Sequence, residues 1–240
     1  MDIPFLYQTL LKLLTGVPLT LQLAISSVGL GAILAVMLAL ARLSGLRLLA
    51  WPASFYVFIF RSTPLLVQIF LIYHGLGQFH AVRASFLWPL LREPYWCALI
   101  ALTLNTAAYA CEIVRGALLS VPSGQIEAAR ACGMSDFTLY RRIVFPLALR
   151  HALPGYGNEF ILMIKSTALA SIITLMEVTG LAAELISESF RAIEILIVAA
   201  AIYLFINFTV TRLVQWAEYA LSADLRPPPA AAAPAQGGAL

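Results

Sequence analysis

The chain has 240 residues, of which 61% are hydrophobic and only 11% charged, with a net charge of +3 and a mean hydropathy of +0.89. Soluble domains carry about 25% charged residues, so this composition excludes an ordinary water-soluble domain, and so small a charge gives no reason to expect nucleic acid. Cys97, Cys111 and Cys132 are scattered without a C-x-x-C pair and are expected as buried, unpaired thiols rather than as disulfides or metal ligands.

In chain order, residues 3–14 place Gln8, Lys12 and Thr15 on one helical face with leucines around the rest. That pattern suits a helix lying in the membrane interface or an extension of the first span. Asp2 stands where a secretory leader would carry positive charge, and no cleavable leader is expected. No residue from Pro18 to Ala41 is charged, and about 20 apolar residues cross the hydrocarbon core, so a first span is expected over 19–41, ending at Arg42 and Arg47. A second span is expected over 54–76 although it contains Arg61 and Pro64, with Arg61 snorkelling at its boundary as a structural anchor. A polar loop with Trp88, Tyr95 and Trp96 as interface anchors leads to a third span over 95–111, closed by Glu112 and Arg115. These two charges are three residues apart and are expected to pair on one helical face. Residues 119–154 are too polar to span. A fourth span over 155–175 carries Glu159 and Lys165, the segment 177–194 is acidic, and a fifth span covers 195–211. The tail from Pro227 is Pro, Ala and Gly and is expected to be disordered.

Five spans put the termini on opposite sides. With the N-terminus outside, the inner segments hold nine arginines (Arg42, Arg47, Arg115, Arg130, Arg141, Arg142, Arg150, Arg212 and Arg226), and the outer segments hold only Lys12, Arg83, Arg92 and Arg191. This is the asymmetry of the positive-inside rule, and it leaves Glu177, Glu184, Glu188 and Glu194 facing outward.

The polar loop over 120–150 carries the clearest functional signal. Ser123 is a plausible N-cap, Gly133 suits a left-handed C′ position, and Asp136 can cap a second helix that is expected to stop near Pro146. Two short cytoplasmic helices result, with Ala128 and Ala129 as a small-residue face that another protein can approach. Glu127, Ala128, Ala129, Gly133, Ile143 and Pro146 stand at the spacing "EAA, three residues, G, nine residues, I, two residues, P", with Phe145 in place of the common Leu. The chain thereby resembles the membrane subunits of bacterial ABC importers. The segment from Phe60 to Gln68 (FRSTPLLVQ) resembles "RGTPLLVQ" of the polar amino acid branch, with Ser62 where Gly is usual. Glu112 to Ala117 and Leu153 to Lys165 match that branch too. The likeness covers about residues 15–222 and is greatest to permeases for histidine, arginine and related basic amino acids.

The resemblance implies an all-α, type I importer permease: an interfacial helix at 1–16, a transmembrane domain at 17–222 and a tail at 223–240. It implies that the loop is a coupling helix seated on a partner ATPase dimer, and that ATP and magnesium are bound there and not in this chain. It further implies a second permease subunit (a copy or a sister chain), a periplasmic or lipid-anchored binding protein, an amino acid cargo and a place in the bacterial inner membrane. The residues agree: Lys12 and Lys165 follow Leu11 and Ile164, so no Walker A glycine–lysine pair exists, and a phosphate-cradling loop needs one. His74, His80 and His151 have no metal-binding spacing, and no enzyme activity is expected. An ion-coupled transporter or channel is the competing class, but internal repeats of the kind such proteins often carry are not evident.

Intramembrane charges are functional candidates. Glu159 and Lys165 point about 120° apart on a helix and cannot close on each other. With Asn158 they are candidates for the cargo pathway, Glu159 toward a cationic end and Lys165 toward a carboxylate. Pairing with other helices or with a second subunit is the alternative.

Overall fold

The computed structural model describes residues 2–221; the expected disordered tail lies outside them. The elements are α1 (Ile3–Leu14), α2 (Val17–Leu43), α3 (Arg47–Ser62), α4 (Leu65–Phe70), α5 (His80–Arg83), α6 (Trp88–Leu91), α7 (Pro94–Leu119), α8 (Ser123–Ala131), α9 (Asp136–Leu139), α10 (Phe145–Ser166), α11 (Val178–Ser189) and α12 (Ala192–Leu221), with no strand among the described residues. Three helical stretches, Ile3–Leu43, Pro94–Leu119 and Ala192–Leu221, are long and apolar enough to cross a membrane, and two bent pairs raise the number to five.

The parallel pair α2 and α7 forms the centre, in register from Gln22 beside Tyr95 at one end to Arg42 beside Glu112 at the other. Gly31 lets them approach so closely that a Cβ there would lie 2.7 Å from Cγ2 of Thr106. Around them Leu23, Ile69, Leu102 and Met163 are buried. Two tyrosines tie other helices to this pair by donating to main-chain carbonyls, Tyr56 to Leu104 and Tyr156 to Val28, each at 2.7 Å. Outside, large apolar residues such as Trp51, Phe58 and Phe205 are 66–72% exposed, the pattern of a surface solvated by lipid or by another subunit. Cys97 and Cys111 are buried as expected, but Cys132 is exposed, because it sits at the end of α8 outside the bundle.

The stretch Ile3–Leu43 contains 41 residues, which at 1.5 Å each is about 60 Å, roughly twice the hydrocarbon thickness. Most of α1 therefore lies beyond the span made by α2. Its polar face is used within the protein: Lys12 pairs with Glu184 at 3.1 Å and Glu188 at 3.8 Å. Arg191, which pairs with Glu194 and lies 3.4 Å from Asp2, covers the Phe5 ring at 3.9 Å.

The second span is not one rod. α3 and the Leu65–Gln78 segment meet at 107°, because Pro64 holds Thr63 in an extended conformation (φ −110, ψ 142) that a helix cannot continue through. Gln68 repairs the break. Its amide donates to the carbonyls of Phe60 (2.9 Å) and Thr63 (3.1 Å), and its oxygen accepts from Asn105 at 3.0 Å. Replacing it by Leu leaves buried Asn105 and the part-buried carbonyls of the break without this partner, at roughly 1–3 kcal/mol for each group kept from water. Gln68→Leu is expected to lower the melting temperature in detergent by several degrees, and an unchanged melting curve would show that the clasp is dispensable.

The second helix of the polar loop does not stop at Pro146. Helix continues from Asp136 to Ile173 through a π turn at Tyr140–Val144, where the Phe145 N–H donates to Tyr140 O, five residues back. The wider turn absorbs the donor that proline lacks, so the loop runs directly into the fourth span. At the far end Thr174 (φ 68) breaks the helix, and α11 leaves at 47°.

Glu177, expected on the outer side of the membrane with the other acids of its segment, is fully buried within the bundle. It caps α11 by accepting from Gly180 N at 2.9 Å, and it accepts from the Tyr203 hydroxyl at 2.7 Å. A carboxylate at a helix N-terminus is favoured by orphan N–H groups and the dipole, which explains how it can lie there. Gly180 is fixed by the same elbow: an added Cβ would stand 2.1 Å from Leu175 O. Gly180→Ala is expected to cost about 1–3 kcal/mol or more through overpacking, seen as a lost monodisperse peak in detergent chromatography. A variant as stable as the parent would contradict this placement.

Candidate functional site

Two places collect the residues singled out in the sequence. The first is the loop hairpin. α8 ends in a complete Schellman motif: Gly133 (φ +76) takes the left-handed position, Gly133 N donates to Arg130 O at 2.9 Å, and Met134 N donates to Ala129 O at 3.1 Å. These are the bonds that motif requires. The N-caps differ from expectation by one residue. Pro122 and Ser135 occupy the cap positions, Ser123 and Asp136 are the first helical residues, and no cap hydrogen bond is made by a side chain. Proline before Ser123 supplies the extended entry itself, and Ser135 spends its hydroxyl on Thr138 at 3.0 Å.

Ala129 is only 4% exposed. It packs inward with Val121, Leu139, Val144 and Ala148 and so supports the hairpin, leaving Glu127 and Ala128 on the open face. Between α8 and the start of α10 lies a groove of about 470 Å³ whose walls include Gln125, Ala128, Arg142, Ile143, Pro146 and Leu147. Arg130 reaches Asp136 at 3.5 Å across the turn, an exposed pair that adds little stability.

The second place lies in the bundle. The bend at Pro64 brings the end of α3 beside α7 and α10 and forms an open cavity of about 470 Å³. Arg61, Thr63, Asn105, Tyr109, Glu159 and Ser166 are its polar walls. Glu159 is 7% exposed, and no described cation lies within ion-pair distance of it. The Thr106 hydroxyl lies beside it without a well-formed hydrogen bond. Lys165 and Asn158, on the same helix, are exposed and outside this cavity. Of the three pathway candidates only Glu159 is brought to it. Asn105, Tyr109 and Ser166 were missed in the sequence, where nothing but the Pro64 break hinted that α3 would fold over α7.

Arg61, expected as a boundary anchor, stands beside other charges. It lies in the wall shared with a neighbouring cavity of about 450 Å³ that also contains Arg42, Ser54 and Glu112. There Glu112 accepts from Arg42 at 2.6 Å and from Arg115 Nε at 3.0 Å, the latter being the expected i,i+3 pair. Arg61 stands 3.7 Å from Glu112 with its guanidinium 5.4 Å from the Tyr109 ring centre.

This bundle of bent helices has known counterparts. Residues 27–222 match the family model of the binding-protein-dependent transport system inner membrane component. The chain belongs to this family. It is 61% identical over 225 residues to the octopine transport system permease protein OccM of Rhizobium radiobacter, covering 94% of this chain and 92% of that one. It is 44% identical over 205 residues to the histidine/lysine/arginine/ornithine transport system permease protein HisM of Salmonella typhimurium, covering 85% and 87%. Its fold overlays the crystal structure of an amino acid ABC transporter with histidines at a TM-score of 0.82 and 32% identity, covering 92% of this chain and 99% of that one. The protein is therefore a permease subunit of an amino acid ABC importer, a multi-pass inner-membrane component and not an enzyme; an ATPase and a substrate-binding protein are its partners. The ion-coupled alternative finds no support.

Proposed function

We propose that this permease carries a cationic amino acid of the arginine type, or an arginine-derived opine, and that Glu159 receives its cationic end. The observation that carries this reading is a buried carboxylate in a spanning helix, facing a polar cavity and lacking a described ionic partner. Such a group is costly to keep in a membrane unless a positive ligand compensates it. The names of the relatives agree, since octopine is itself an N-carboxyalkyl derivative of arginine.

In this reading the N-terminus is outside and the C-terminus inside, supported by the arginine asymmetry. α1 lies at the outer interface. The ATPase dimer, which holds ATP and magnesium, docks on the 120–150 hairpin through Glu127, Ala128, Gly133, Ile143 and Pro146, with Ala129 supporting them from within. A second permease chain, copy or sister, covers exposed aromatics such as Trp51 and Phe58 and completes the pathway. The test is ATP hydrolysis by the reconstituted complex with its binding protein. L-Arginine or octopine should raise the rate several-fold and L-glutamate should not; stimulation by glutamate or leucine alone would overturn the cationic assignment.

A further inference from the structure

The cavity beside the cargo site has a charge problem of its own. Arg42, Arg61 and Arg115 surround one carboxylate, Glu112, which leaves a surplus of two positive charges. Glu112 is engaged on both oxygens: Arg42 donates to one of them, and Arg115 donates to the other through two nitrogens, at 3.0 and 2.9 Å. Arg61 is thus a weak third partner at 3.7 Å, makes no hydrogen bond to a described residue, and has a side chain 45% exposed. Its fork of five donors is the group best shaped to hold a carboxylate. Ser62 and Tyr109, like Arg61, line both cavities, so the two chambers adjoin along one wall. A molecule whose cation rests at Glu159 would extend its acidic end toward that wall.

We propose that Arg61, backed by the Arg42–Glu112–Arg115 cluster, is a second cargo subsite that binds the carboxylate of the transported molecule. The proposal rests on the reading of the Glu159 cavity as the cargo chamber. Glu159 selects the cation and Arg61 the acid, so the permease distinguishes a carboxylated guanidine from one without a carboxylate. A second carboxylate, as in octopine, meets the same surplus charge and is favoured further.

The test is equilibrium binding of three labelled probes to the purified permease–ATPase complex without binding protein: octopine (two carboxylates), L-arginine (one) and agmatine (none). The wild type should bind octopine and arginine more tightly than agmatine. Arg61→Gln should weaken octopine and arginine by roughly ten- to a hundredfold, the worth of a charge-assisted hydrogen bond, and leave agmatine within about twofold. Arg61→Lys, which keeps the charge, should retain part of the preference and covers the case in which the Gln variant fails to fold. Arg92→Gln also removes a positive charge and breaks an ion pair, but it lines neither cavity and should leave the arginine-to-agmatine ratio unchanged. Equal weakening of all three probes by Arg61→Gln, or no weakening, would overturn the subsite. Loss of arginine binding in nanodiscs containing phosphatidylglycerol, restored in phosphatidylcholine, would assign the arginines to a lipid phosphate and overturn it as well. Glu159→Gln separates the two readings. If it leaves all probes unaffected while Arg61→Gln remains selective, the cation assignment fails and the carboxylate subsite stands. Absence of binding of every probe to the wild type would remove both.

Discussion

Replacing Glu159 by Gln is expected to lower ATP-driven uptake of L-arginine into proteoliposomes by roughly thirtyfold or more. Loss of one partner from a buried charge pair costs about 2–5 kcal/mol, and every 1.4 kcal/mol is a factor of about ten. The carboxylate is 7% exposed in the wall of the bundle cavity, so little water is available to take its place. Stability should move the other way. An uncompensated buried charge is destabilising without its ligand, so the neutral amide should match or raise the melting temperature of the cargo-free complex. Lower uptake with retained stability is the signature of a binding group. Unchanged uptake and selectivity would remove Glu159 from the pathway, and lower stability would make it structural.

The second large effect is expected on the hairpin, where two adjacent alanines should respond differently. Ala128 is on the open face beside the groove, so Ala128→Trp should leave the membrane fold intact while reducing ligand-stimulated ATP hydrolysis and uptake at least about tenfold, since a central bulky clash at an interface costs several kcal/mol. Ala129 is 4% exposed inside the hairpin, so Ala129→Leu should destabilise the fold by about 1–3 kcal/mol through overpacking. Equal melting temperatures for both variants, or an Ala128→Trp complex with normal coupling, would contradict the division of roles between them.

The spans were legible because hydrophobic length is a direct physical requirement of the bilayer, and the hairpin because its glycine, spacing and proline are local signals. Gly133 adopts the left-handed conformation that a C′ glycine supports. Pro146 misled, since a proline reads as a stop and only the main chain shows the π turn that carries a helix through it. The burial of Glu177 was not legible for a similar reason. An acidic segment reads as a polar exterior, whereas the capping bond to Gly180 and the hydroxyl of Tyr203 come from positions 3 and 26 residues away. The cavity was half legible. Glu159 stood out as a charge inside a span, but its companions are ordinary residues, Ser166 at the end of the same helix and Asn105 and Tyr109 on α7. Only the 107° bend at Thr63–Pro64, held by Gln68, brings α3 to them. Arg61 was read as a snorkelling anchor because its distance from Glu112 and its place between two cavities are tertiary facts.

Contact between α8 and the partner ATPase is the step on which transport by this permease depends, and photocrosslinking detects it without an activity assay. A benzophenone side chain placed at Ala128 or Gln125 in the assembled complex should yield an adduct with the ATPase, and its yield should change between the nucleotide-free and ATP-bound states. The same group at Glu188 on α11 should give none. Adducts at Glu188 but not on α8, in a complex that retains its ATPase, would show that α8 is not the docking element.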